Sequence, residues 1–106
     1  MFSLKVRELI GILRGELLLG NPAQVVSGIS LDTRSLKRGT FFLALKGTRF
    51  DGHTFLTRAL QQGAAGLIVE CLSDSFRGFQ ITHQAIIRVE NTLTALGDIG
   101  RSLRQR

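Results

Sequence analysis

The sequence predicts a single small α/β domain, a sheet with helices on either side. Two observations carry this. Short, continuous apolar runs (FFLAL at 41–45, GLIV at 66–69, AIIRV at 85–89) read as strands buried on both faces. Around them lie segments whose apolar residues recur every three or four positions, as in helices. Strand, helix, strand, then strand and helix is an α/β order. With 106 residues, 43% of them hydrophobic, the chain can build one core.

Taken in order, Leu4 to Leu13 reads as a helix, because Val6, Leu9, Ile10 and Leu13 share one face. Gly15 is expected to end it. Leu17 to Leu19 fits either an extension of that helix or a short strand. Gly20-Asn21-Pro22 signals a turn. Val25 to Leu31 reads as a strand, with Gly28 a candidate bulge. Between this run and Thr40 to Leu45 lies DTRSLKRG, in which Gly39 is free to take a positive φ.

Asp51 or Thr54 can cap a helix reaching Gln62, with Phe55, Leu56, Ala59 and Leu60 inward and Gly63 as its stop. Ala65 to Glu70 is a strand. Cys71 to Gln80 is polar and loop-like, and Ala85 to Glu90 is a further buried strand. Asn91 then caps a last helix with Leu93, Leu96, Gly100 and Leu103 on one stripe, its two glycines open to close packing. The runs Phe41 to Leu45, Leu67 to Val69 and Ile86 to Val89 should form the centre of the sheet.

Composition narrows the function. The single cysteine, Cys71, leaves no internal disulfide and no cysteine-rich zinc site. At a strand end it reads as a passive core residue. No apolar run approaches the ~20 residues that span a bilayer. The N-terminal stretch carries charges inside its apolar pattern, unlike a signal peptide, so a cytoplasmic location and no membrane insertion are the expectation. A net charge of +6 favours anionic partners: nucleic acid, anionic lipid or phosphorylated ligands. The charge is dispersed except at Arg101, Arg104 and Arg106, which also read as a helix C-terminus or a solvated face. The seven phenylalanines lie mostly in apolar runs, with no Tyr or Trp among the basic residues, which disfavours nucleic acid.

Catalytic signatures are missing from the sequence. It contains no GxxxxGK[ST] phosphate loop and no GxGxxG after a strand. His53 and His83 lack metal-ligand spacing, and nothing resembles a nucleophile elbow. No catalytic or metal residue is assigned.

Several motifs together resemble the N-terminal domain of the Mur ligases, ATP-dependent enzymes that add amino acids to a UDP-muramoyl precursor. They are Asp32-Thr33-Arg34, Gly39, the run Phe41 to Gly47, Asp51-Gly52-His53-Thr54-Phe55, Ala59 to Ala64, Val69-Glu70 and the closing pattern Val89 to Gly97. The resemblance spans nearly the whole chain. It implies a three-layer-like domain with a mixed sheet flanked by helices, and a function in holding the UDP end of UDP-MurNAc-tripeptide. The opening helix, GELL and the VSGISLDTR strand look most like the D-alanyl-D-alanine-adding type. The type adding the third stem residue shares the DxR and DG wording.

The resemblance also implies a central ATPase domain and a C-terminal domain outside these 106 residues, which would bring ATP and Mg2+. The chain alone is expected to form no peptide bond and needs no cofactor of its own. Its expected partners are the UDP-MurNAc-peptide and the rest of its own polypeptide.

By the same resemblance, the D-[ST]-R loop and the loop before D-G contact uridine and diphosphate. That places Leu31, Thr33 and Arg34 in the first loop and Thr48, Arg49 and Phe50 in the second. Thr33 and Thr48 offer hydroxyls, Arg49 could neutralise phosphate and Phe50 could stack on a base. Structural roles compete with these. Asp32 suits an Asx turn, and Arg34 suits an ion pair with Asp32 or Asp51. Phe50 suits the edge of the core, and His53 suits a backbone hydrogen bond at a helix start.

Overall fold

The computed structural model describes residues 4–72 and 83–104. Its elements are β1 (Leu4–Lys5), α1 (Val6–Leu13), β2 (Glu16–Leu19), β3 (Val25–Val26), β4 (Gly28–Ser30), β5 (Thr40–Leu43), α2 (Leu56–Gln61), β6 (Gly66–Val69), β7 (Ala85–Arg88) and α3 (Thr92–Arg104). Short 3-10 turns at Thr33–Ser35 and Gly52–Phe55 precede β5 and α2. The main sheet has the order β2-β7-β6-β5-β4. β4, β5, β6 and β7 run parallel, and β2 pairs antiparallel with β7. The sheet is therefore mixed, and the three most apolar runs occupy its middle, as the sequence predicts.

Alternation along the central strands sorts the core into two layers. Phe41, Leu43, Ile68 and Ile87 pack with Val6, Leu9 and Leu13 of α1 and Ala95 and Ile99 of α3. Phe42, Leu67, Val69 and Ile86 face the other way, against Leu56, Ala59 and Leu60 of α2. Two helices on one face and one on the other make three layers.

Several local expectations change. Glu16–Leu19 is a strand, because β7 offers it an antiparallel partner. The helix before it ends with Arg14 in the left-handed region (φ 54), while Gly15 lets β2 pass close to Arg88 and Ile87. The run from Val25 breaks at Ser27: β3 pairs with β1 in a separate two-stranded sheet, and β4 joins the main one. Gly28 pairs regularly with Thr40, so the irregularity is not a bulge there. Ser27 donates its N–H to the carbonyl of Gly39, which turns at φ +83.

Asn91 caps α3 through the Thr94 N–H, as expected. The buried face of α3, however, is Thr92, Ala95 and Ile99, with Leu96 partly covered; Leu93 is exposed. Gly97 is exposed and a Cβ on Gly100 would meet open space, so neither serves close packing. Cys71 is exposed instead of buried. Most of the expected loop from Cys71 to Gln80 lies outside the described residues.

Candidate functional site

β4 and β5 are parallel, so the loops that follow them leave from the same edge of the sheet. This brings together two stretches that are separate in sequence. Leu31, Asp32, Thr33 and Arg34 come from the first loop and Phe50 from the second. They line a groove of about 370 Å³ with Phe42 of β5, Phe55 at the end of the 3-10 turn and Arg58 of α2. Open α/β sheets commonly bind ligands beyond the carboxyl ends of their strands.

Asp32 shapes the first wall. Its carboxylate accepts the Arg34 N–H at 2.8 Å, an Asx turn, and also the Arg34 guanidinium at 2.9–3.2 Å. The Arg34 side chain is the main reason the Asp32 carboxyl lies below its ordinary range; Asp32 in turn raises Arg34. Thr33 is buried beside them. The expected pair forms with Asp32, and Asp51 takes His53 as its partner.

The second loop is tight. Lys46 and Asp51 form a bridge, and Gly47 donates its N–H to the Phe50 carbonyl at 2.7 Å. Thr48 and Arg49 lie at the exposed tip and do not line the groove. Phe50, at the base, is 51% exposed and stacks on Phe55 with ring centroids 6.1 Å apart. Gly52 lets the chain turn back against β5, since a Cβ there would sit 2.9 Å from the Leu45 nitrogen.

His53 fixes this loop. It is buried, and its Nε2 accepts the Glu70 N–H at 2.8 Å. A backbone N–H can only donate, so in the neutral ring the hydrogen sits on Nδ1, directed at Asp51 Oδ1 at 2.7 Å. The Glu70 carboxylate accepts both the N–H and the hydroxyl of Thr92, and the Thr92 hydroxyl accepts the Lys46 N–H. The second loop is thereby tied to β6 and to the start of α3. The D-G-H wording carries structural work, consistent with a backbone bond for His53.

This network is acid-sensitive. The His53 N–H holds the Asp51 carboxyl below its ordinary value of 3.8, and the Thr92 N–H holds Glu70 below 4.5. A lowered native pKa adds stability that is complete above the unfolded value and lost as pH falls through the folded one. The urea midpoint is therefore expected to fall on acidification from about pH 5 to about pH 3. A midpoint that rises over that range would contradict the assignment.

Elsewhere, a polar cleft of about 640 Å³ sets Arg14, Arg88 and Arg101 among Glu16, Glu90 and Asp98. Arg101 pairs with Asp98. These basic residues stand in a charge-balanced surface. Among the described residues, no group of three or more His, Cys, Asp and Glu side chains is arranged to hold a metal. No helix there is long and apolar enough to cross a membrane.

A mixed sheet covered on both faces, with an aromatic and cationic groove at its carboxyl edge, defines a three-layer α/β domain. A family model described as "Mur ligase family, catalytic domain" matches residues 25–104. The UDP-N-acetylmuramoyl-tripeptide–D-alanyl-D-alanine ligase of Haemophilus influenzae is 34% identical over 106 residues, all of this chain and 22% of that protein. The UDP-N-acetylmuramoyl-L-alanyl-D-glutamate–2,6-diaminopimelate ligase of Phocaeicola vulgatus is 30% identical over 96 residues, 91% of this chain and 19% of that protein. A crystal structure of MurF from Acinetobacter baumannii superposes with a TM-score of 0.78 at 30% identity, covering 94% of this chain and 21% of that one. The chain belongs to the Mur ligase family, as an N-terminal domain of it, and spans about a fifth of the length of these relatives.

Proposed function

We propose that this domain holds the UDP end of UDP-MurNAc-tripeptide for a cytoplasmic ligase that adds D-alanyl-D-alanine in peptidoglycan synthesis. The supporting observation is the groove, where Phe50 and Phe55 offer apolar ring surface beside Thr33 and two guanidinium groups. That pairing suits a flat base carrying anionic groups. Leu31, Thr33, Arg34 and Phe50 contact the ligand in the groove. Thr48 and Arg49, at the loop tip, meet the part that extends beyond it. The central ATPase and C-terminal domains of the parent supply ATP and Mg2+ chemistry, since the chain carries no phosphate loop.

The addition of the third stem residue is the second reading, supported by the diaminopimelate-ligase relative. Alignment of all 106 residues with a D-alanyl-D-alanine ligase favours the first.

Titration with UDP, followed by amide NMR, tests the groove. Shifts are expected at Leu31 to Arg34 and Phe50 to Phe55. Thr33→Ala should weaken binding about tenfold, as loss of roughly 1.4 kcal/mol would. Shifts confined to Arg14, Arg88 and Arg101 would instead reveal unspecific anion attraction and sink the assignment.

A further inference from the structure

We propose that Arg58 is the diphosphate-contacting cation of the groove and makes the site prefer a nucleoside diphosphate over the free nucleoside. This rests on the UDP reading above and deepens it. Among the described residues, three charged side chains line the groove: Asp32, Arg34 and Arg58. Asp32 and Arg34 hold each other in a two-pronged ion pair, so most of the Arg34 charge is already answered. An anion approaching Arg34 also meets the Asp32 carboxylate. The Arg58 guanidinium makes no ion pair or hydrogen bond among the described residues, so of the two cations it is the uncompensated one.

Its position is fixed by packing. Leu56, Ala59 and Leu60 of α2 are buried against the sheet, which directs exposed Arg58 away from the core. Phe55, three residues earlier, lines the same groove and stacks on Phe50. A ring placed against the phenylalanines can thus present its phosphates to Arg58. A guanidinium suits this because its planar fork can donate two parallel hydrogen bonds to phosphate oxygens.

The experiment compares binding of UDP and uridine to the wild-type chain and to Arg58→Gln and Arg7→Gln. Arg7 is an exposed cation on α1, across the sheet from α2, and controls for net charge. Arg58→Gln should weaken UDP about tenfold or more, the scale of one charge-assisted hydrogen bond. It should leave uridine unchanged, and Arg7→Gln should leave both unchanged. An equal loss of UDP in both variants, no loss in Arg58→Gln, or a parallel loss of uridine would overturn the role of Arg58 while the groove reading stands. A wild-type chain that binds neither ligand would overturn the groove reading itself.

Discussion

His53→Ala is expected to destabilise the domain by about 3 kcal/mol, because it strands a part-buried backbone donor and leaves a cavity. The Glu70 N–H loses its acceptor, and Asp51 loses its contact with the ring. The His53 side chain is only 7% exposed, so water replaces it poorly. In a domain of this size that loss lowers Tm by roughly 15 °C. The loop carrying Phe50 should loosen with it, since His53 is what joins that loop to β6. Urea unfolding measures the first effect and hydrogen exchange at Gly47 and Gly52 the second. A loss below about 0.5 kcal/mol, typical of a surface substitution, would show that His53 is no hub.

Gly66→Ala is the other large expected loss. Gly66 lies in the middle of the sheet, paired with Phe41 on one side and Ala85 on the other. A Cβ there would sit 2.7 Å from the Ala85 carbonyl oxygen and would also overlap the Phe41 ring. Neither neighbour can yield cheaply: one is backbone, and Phe41 is fully buried. Overpacking of this kind costs about 1–3 kcal/mol, and the fixed carbonyl puts this site at the upper end. Thermal unfolding reads it directly. The double variant Gly66→Ala with Phe41→Leu should recover part of the loss. No recovery would place the strain at the carbonyl alone.

The sequence made parts of the site legible through residues with one dominant local role. Asp32 and Asp51 both accept an N–H two residues on, as short acidic side chains do at turns. Arg58 left no such trace. On a helix between buried Leu56 and Ala59 it reads as an ordinary solvated position; only its i+3 spacing from Phe55 hints that both reach one groove. Phe50 was readable as either core edge or platform, and its exposure and stacking are tertiary facts.

Element type was least legible where the pattern had no period. Three consecutive leucines at 17–19 fit helix or strand equally, and pairing with β7 made them a strand. Leu4–Lys5 and Val25–Val26 are too short to show periodicity, and each exists only because the other pairs with it. On α3 the leucines suggested one face. Contact with α1 and the sheet buried Thr92, Ala95 and Ile99 instead, because Thr92 is drawn inward by Glu70.

The sequence by itself determined the α/β class, the three central strands and the two polar loops, because continuous apolar runs and glycine-bounded turns act locally. The parallel pairing of β4 with β5 was decided only by tertiary structure. That pairing puts both loops at one edge, sets the locally formed Asp32–Arg34 pair in one groove with Phe50, and lets Arg58 from a third element line the same groove. Such meetings depend on which strands lie side by side, and strand order is set by burial summed over the whole chain.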